Sequence, residues 1–151
     1  MKQIETIIRD YLKDIIHMSI ATSQDNKPWI SEVHFSYDNE LNLYFISRPS
    51  RRHSLEVTEN NQIAGNIIKQ HTKGEKVRGV YYEGTVEVLE GVTKENPAFA
   101  SYNQRFDNDP SILAEQDEEN GHRWYKITVN RFYLFDELEM QPAGKHKLDW
   151  K

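Results

Sequence analysis

Residues 17–53 read HMSIATSQDNKPWISEVHFSYDNELNLYFISRPSRRH, in which three apolar segments are separated by two groups of turn-forming residues. Alternating or continuous apolar residues bounded by turn formers predict β-strands. The predicted strands are His17–Thr22, Trp29–Tyr37 and Leu41–Ser47. The third is apolar on both faces, which favours an interior position in a sheet. It leads directly into a compact basic element, Ser50-Arg51-Arg52-His53.

This basic element precedes a segment, Ser54–Glu59, that fits a short helix. A helix N-terminus presents unpaired backbone N–H groups, and arginine adds forked cationic donors, so the junction suits a phosphate. Ser50 can cap the helix or donate its hydroxyl, while Arg51 and Arg52 supply the charge. From the residues alone, the alternative is a solvated turn in which Ser50 is the helix cap.

The remaining chain extends the strand pattern. Ile4 to Ile16 has helical spacing and predicts an amphipathic helix over residues 2–16. Further strands are predicted over Gln62–Lys69, Val77–Leu89, with Gly84 as a bulge, and Arg123–Asp136; residues 95–115 are predicted to be helical in two pieces. The tail from Glu137 has no strong period. The sequence therefore predicts a mainly β protein, a single domain over residues 1–151 built as a six-stranded antiparallel barrel with flanking helices.

Composition excludes several kinds of chemistry. The 151 residues contain no cysteine, so disulfides, thiolate nucleophiles and cysteine-ligated metals are absent. No histidine pair has metal-binding helical spacing, and we expect no metal site. The formal net charge of −5 argues against a nucleic-acid-binding surface. Without a signal-like or membrane-length apolar run, the expected location is the cytoplasm, with no membrane partner.

Several motifs together resemble the pyridoxamine 5′-phosphate oxidase-like FMN-binding split barrels. They are the first strand His17–Thr22, the segment Pro28–Phe35, the strand Leu43–Ser47 and the Ser50-Arg51-Arg52 triplet. Four further segments are similar to a small, uncharacterised bacterial branch of that superfamily: Val77–Val80, Glu83-Gly84, Tyr102–Phe106 and Gly144–His146 with Trp150.

The resemblance implies a homodimer that holds FMN at the subunit interface. Backbone groups that follow the flavin ring map to Glu32, Val33, His34 and Phe35, and to Phe45, Ile46 and Ser47. The residues that grip the flavin phosphate map to Ser50, Arg51 and Arg52. Two departures, Ile30 in place of an arginine and Gly79 in place of a glutamine, argue against vitamin B6 oxidation.

Two classes of function remain open. One is an FMN-dependent oxidoreductase acting on a small organic molecule, in which the flavin carries the chemistry because no nucleophile–base arrangement is present. The other is a non-catalytic protein that stores or senses a flavin or a haem. Tyr102 and Arg105 fit either a place near the flavin or helix packing, and Lys145-His146-Lys147 fits a solvated tail or a segment folded over a neighbour's cofactor.

Overall fold

The computed structural model describes residues 2–151. Its helices are α1 (Lys2–Leu12), α2 (Arg52–Glu59) and α3 (Pro97–Phe106), followed by a 3₁₀ helix (Pro110–Asp117). Its strands are β1 (His17–Gln24), β2 (Lys27–His34), β3 (Ser36–Tyr37), β4 (Leu43–Ser47), β5 (Gln62–Ile67), β6 (Arg78–Leu89), β7 (Arg123–Asp136) and β8 (Gly144–Asp149). The fold is therefore mainly β with flanking helices, as the sequence predicts.

The strands form one antiparallel sheet in the order β2-β1-β5-β6-β7-β4-β3, and β8 pairs with the second half of β7. Strands β2 and β3 lie at opposite ends of this order, although only Phe35 separates them in the chain. The sheet must therefore curl round to bring its two ends together, which makes it a split barrel. A register shift at Glu83/Gly84 in β6 confirms the predicted bulge, and bulges of this kind increase local bending.

The prediction of six strands is wrong, because the sheet described over residues 2–151 has eight. The predicted strand Trp29–Tyr37 divides at Phe35, whose N–H donates to Ile16 on the β1 side, whereas Ser36 pairs with Tyr44 of β4. The other additional strand is β8, which lies in the tail after Glu137 for which the sequence shows no strong period. Its only buried residue is Leu148, so its alternation of apolar and polar residues is too weak to read.

The barrel interior is filled by apolar side chains, as expected for a small barrel. Buried residues include Met18, Ile20, Phe35, Phe45, Ile127 and Phe132. Helix α1 covers this core with Ile8 and Leu12, both fully buried, and burying one such side chain stabilises the fold by about 1.5–3 kcal/mol. A second cluster, including Tyr44, Phe99, Tyr102 and Trp124, joins α3 to β4 and β7. A filled interior leaves only the outside of the barrel or a subunit interface for a large ligand.

Candidate functional site

The basic element forms a turn between β4 and α2. Arg51 is the N-cap of α2, with extended backbone angles (φ −67°, ψ 145°) and no hydrogen bond from its side chain to the helix. The alternative role of Ser50 as helix cap is therefore not observed, because Ser50 lies one residue too early. Ser50, Arg51 and Arg52 are all exposed. The helix begins two residues before the predicted Ser54, which places Arg52 in its first turn.

The charge distribution of α2 runs against its dipole. The N-terminal end of a helix carries partial positive charge, which anions stabilise and cations destabilise. Helix α1 follows this rule, with Glu5 in its first turn and Arg9 in its last. Helix α2 has Arg51 and Arg52 at its N-terminal end and no acidic residue in its first turn. A bound anion would offset this concentration of positive charge.

Arg52 is held between a strand and a helix. Its Nε donates to Oε2 of Glu56 at 2.9 Å, one turn along α2. The guanidinium carbon lies 4.1 Å from the ring centre of Trp29 in β2, within the range of a cation–π contact. These contacts join the basic element to β2.

Ser47, at the end of β4, is tied to the same helix. Its hydroxyl lies 2.7 Å from Nε2 of His53 and accepts a hydrogen bond from the Ser54 hydroxyl at 3.1 Å. Burial lowers the pKa of His53, and the neighbouring Arg51 lowers it further, so the imidazole is neutral at pH 7. His53 therefore contributes hydrogen bonding rather than positive charge to the basic element.

Strand β2 is an edge of the sheet, and among residues 2–151 it pairs only with β1. The bond from Phe35 N–H to the Ile16 carbonyl fixes the phase of the antiparallel ladder. Since hydrogen-bonded and non-hydrogen-bonded pairs alternate, the backbone groups of Ile30, Glu32 and His34 point away from β1. Ile30 is 63% exposed. Unprotected edges of this kind are open to pairing with a ligand or another chain.

A groove of about 610 Å³ lies beside the second half of β2. Its lining consists of His17, Met18, Glu32, Val33, His34, Asn66 and Ile68. Nδ1 of His17 lies 3.3 Å from Oε2 of Glu32, and the His34 ring stacks on Phe106 with 5.1 Å between ring centres. The groove thus combines apolar walls with two imidazoles and a carboxylate, which suits a flat ligand with polar edges.

The residues predicted to follow the flavin ring lie in different parts of the structure. Glu32, Val33 and His34 meet in the groove. Phe35 and Phe45 are fully buried in the barrel core, Ile46 packs against the second cluster, and Ser47 bonds to His53. The side chains of Phe35, Phe45 and Ile46 are thus occupied by packing. The backbone of Phe35 is occupied as well, since its N–H donates to Ile16 and its carbonyl accepts from Arg105, and the backbone of Phe45 and Ile46 pairs with β7 on one side.

The basic element and the groove lie on opposite faces of β2. Trp29, which contacts Arg52, has the same strand parity as Val33, which packs on the core, whereas Glu32 and His34 have the other parity. A single ligand that contacts both regions must therefore pass along the free edge of β2.

Sequence reasoning missed several residues of this region, namely His17, Thr22, Trp29, Glu56, Asn66 and Ile68. Among them, only the spacing of Arg52 and Glu56, four residues apart, gives a signal in the sequence.

Arg105 has a packing role in the structure. Its guanidinium donates to the carbonyls of Phe35, Leu12 and Lys13 and so packs α3 against the barrel. Tyr102 is buried beside Trp124.

The basic tail also has a structural place. Lys145 belongs to β8 and lies over the rings of Tyr81 and Tyr133, at 4.7 and 5.0 Å from their centres.

Among residues 2–151, no group of three or more His, Asp or Glu side chains is arranged to hold a metal ion. In the same part of the chain, none of the helices has the length and apolar character needed to cross a membrane.

Comparison with known proteins adds a family to this geometry. The model of the family described as pyridoxamine 5′-phosphate oxidase matches residues 4–136. A UPF0306 protein of Photorhabdus laumondii is 28% identical over 101 residues, which cover 66% of this chain and 70% of the relative.

Solved structures show the same fold at low sequence identity. One is a Clostridium acetobutylicum protein of the pyridoxinephosphate oxidase family, related to general stress protein 26; it has a TM-score of 0.67 and 12% identity, and the match covers 99% of this chain and 96% of that one. Another is a haem-binding protein from Mycobacterium smegmatis, with a TM-score of 0.70 and 13% identity over 93% of this chain and 55% of that one.

Proposed function

The chain belongs to the pyridoxamine 5′-phosphate oxidase family, and from this premise we propose that it is an FMN-binding flavoprotein that acts as an oxidoreductase on a small organic molecule. The observation that carries the proposal is the pair Arg51 and Arg52 at the N-terminal end of α2, where Arg52 contacts Trp29 of the edge strand β2. The two positive charges destabilise the N-terminal end of α2, and an anionic ligand would offset this effect.

The chemistry of FMN fits these residues at both ends of the molecule. Its phosphate carries roughly −1.5 to −2 charges near neutral pH, which Arg51, the first N–H groups of α2 and the terminal nitrogens of Arg52 can bind, although Glu56 already balances part of the Arg52 charge. Its ring has alternating hydrogen-bond donors and acceptors along one edge, which suit the outward backbone groups of Ile30, Glu32 and His34. When bound, FMN supplies hydride or electron transfer, while the protein orients the ring and limits its exposure to water.

A homodimer is part of the proposal. One protomer offers the phosphate site on one face of β2 and the ring site along the free edge of that strand, so a second molecule is needed to enclose the cofactor. Exposed apolar residues at this edge, Trp29 at 41% and Ile30 at 63%, together with Leu55 of α2 at 56%, support an interface here.

The first test is a visible absorption spectrum of the purified protein, followed by FMN titration of the double variant Arg51→Ala/Arg52→Ala. Each charge-assisted contact contributes about 1.5–3 kcal/mol, so the double variant should bind FMN roughly a hundredfold or more weakly. A matched double variant in the exposed loop before β6, Lys73→Ala/Lys76→Ala, should bind normally. Equal affinity of wild type and the arginine variant would remove these residues from the site.

Turnover separates an enzyme from a binding protein. For an oxidoreductase, we expect a reduced nicotinamide or another donor to bleach the yellow protein repeatedly when an acceptor is present. Bound flavin without turnover across donors and acceptors would favour storage or sensing.

A second candidate is haem binding without turnover. It is favoured by the groove, in which His17 and His34 occupy directly paired positions of β1 and β2, and by the likeness to the mycobacterial haem-binding protein. A colourless protein that ignores FMN but develops a Soret band with haem, lost in His17→Ala/His34→Ala, would favour this candidate over the flavin.

A further inference from the structure

Four side chains form a connected path from β1 to the basic element. Thr22 donates from Oγ1 to Oε1 of Glu56 at 2.8 Å, and the other carboxylate oxygen of Glu56 accepts from Arg52 Nε at 2.9 Å. Arg52 in turn lies over the ring of Trp29, the residue that pairs with Thr22 across the β1–β2 ladder. Because Trp29 and Thr22 are neighbours across the two strands, the four side chains form a closed ring of contacts.

Burial shows that the carboxylate is fixed. The side chain of Glu56 is only 6% exposed and Thr22 is 2% exposed, whereas the side chain of Arg52 remains 47% exposed. Carboxylates are rarely this buried unless they are paired and hydrogen-bonded. The hydrogen bond from Arg52 and then that from Thr22 lower the pKa of Glu56, so it is ionised at neutral pH.

Helix stability alone accounts poorly for this pair. A pair four residues apart stabilises a helix more when the acidic residue precedes the basic one, as Glu5 precedes Arg9 in α1, with 2.9 Å between Arg9 Nε and Glu5 Oε1. In α2 the order is reversed, and Arg52 lies at the positive end of the helix dipole. What the pair does achieve is to fix the guanidinium plane while leaving its two terminal nitrogens without a hydrogen-bond partner among the described residues.

We propose that Glu56 is a positioning residue for the anion site: supported by Thr22, it holds Arg52 over the ring of Trp29 so that the terminal guanidinium nitrogens form a preorganised fork for a phosphate. Arg51, which has no side-chain partner within residues 2–151, then acts as the mobile second charge. The proposal rests on the proposed FMN function, and it adds that the two arginines have unequal roles. Preorganisation of this kind reduces the entropy lost on binding.

The test compares FMN with riboflavin, which lacks the phosphate. Glu56→Gln should weaken FMN binding by about tenfold, by analogy with the loss of a residue that orients a metal ligand, and should leave riboflavin binding unchanged. Glu5→Gln, which breaks the corresponding pair in α1, should change neither affinity. Equal losses for both ligands, or no loss for FMN, would overturn the positioning role.

A double-mutant cycle separates positioning from direct contact or general damage. If Glu56 acts through Arg52, then Glu56→Gln should have no further effect on FMN affinity in an Arg52→Ala background. Additive losses would contradict the proposal. Should Glu56→Gln fail to fold, Thr22→Val tests the same path, with a smaller loss expected for FMN alone.

A measurement without flavin keeps this inference distinct from the proposed function. In ¹⁵N NMR of the ligand-free protein, the Arg52 Nε–H should exchange slowly with water and lose that protection in Glu56→Gln. Inorganic phosphate should shift the Arg52 signal in wild type. A protein that binds no FMN but shows both results retains the positioned anion site and loses only the flavin; rapid exchange in wild type, or no shift with phosphate, overturns the positioning.

Discussion

At the scale of single residues, Arg51 occupies a position where helices usually place Ser, Thr, Asp or Asn. It makes no capping bond and adds positive charge to the positive end of α2. Residues that break a local rule of stability are often retained for function. Arg51 is therefore the residue at which stability and ligand binding should oppose each other most clearly.

We expect Arg51→Ser to stabilise the ligand-free protein and weaken its FMN binding. A serine cap contributes about 1 kcal/mol, which corresponds to a rise in Tm of roughly 2–4 °C for a domain of this size. Calorimetry of the ligand-free protein and FMN titration give the two quantities. Arg51→Ala serves as the control, because it should lose FMN affinity equally while gaining less stability. A lower Tm for Arg51→Ser would contradict this account of α2.

The sequence indicates the two arginines but not the residues that contact them in the fold. Ser50, Arg51 and Arg52 stand out as a local motif, whereas the contact between Arg52 and Trp29 joins residues 23 positions apart in the chain and depends on how α2 packs. The sequence does not single out Glu56, because most helical glutamates are solvated and its burial against Thr22 is a tertiary property. Contacts of this kind cannot be deduced from local periodicity.

At the scale of elements, β2 has one backbone edge that no other strand of residues 2–151 pairs with. It has eight residues, a free backbone edge and exposed apolar side chains. Natural proteins usually protect such an edge with charge, proline or a covering element. Pro28 protects only its beginning.

We expect Ile30→Lys to convert the proposed dimer into a folded monomer, because a lysine at an outward edge position opposes pairing with a second chain. Sedimentation velocity measures the oligomeric state, and circular dichroism checks the fold. Leu138→Lys, at an apolar residue that is 52% exposed in the turn after β7, is the matched control and should not change the mass. An unchanged dimer in Ile30→Lys would place the interface elsewhere.

Elements with strong periodicity were predicted well. Strand β7 was predicted as Arg123–Asp136, the range the structure has, and β6 differs by one residue at its start. Errors occur where another contact decides the outcome: α1 ends at Leu12 rather than Ile16, although Ile15 is still buried, and β8 exists because β7 offers it an edge. Pairing with β7 therefore decides β8, which local periodicity does not indicate.

At the scale of the whole molecule, stability in acid should depend on Asp136. This fully buried carboxylate accepts from Arg78 Nε at 2.7 Å and from the backbone N–H groups of Leu138, Glu139 and Met140. Burial alone would raise the pKa of Asp136, but these hydrogen bonds outweigh it and bring the pKa to about 2. Since the unfolded chain has the higher pKa, near 4, the stabilisation is complete above pH 4 and is lost as the pH falls towards 2.

We expect Asp136→Asn to destabilise the protein at pH 7 by about 3 kcal/mol, because the largely buried Arg78 would keep only the exposed Glu139 as a counter-charge. The variant should also show a flatter fall in stability between pH 4 and pH 2. Urea unfolding across this pH range measures both effects, with the exposed Asp14→Asn as control. A variant that loses stability with pH as steeply as wild type would show that other carboxylates govern acid unfolding.

The single residue between β2 and β3 has a consequence for how the barrel can be used. At Phe35 the main chain itself joins the first and last strands of the sheet, so a covalent connection closes the circumference at this seam. The outward amides and carbonyls of β2 are therefore not needed to keep the barrel shut. A ligand can therefore bind to these backbone groups and dissociate from them without opening the barrel. The same covalent connection preserves the geometry of the site when no ligand is bound.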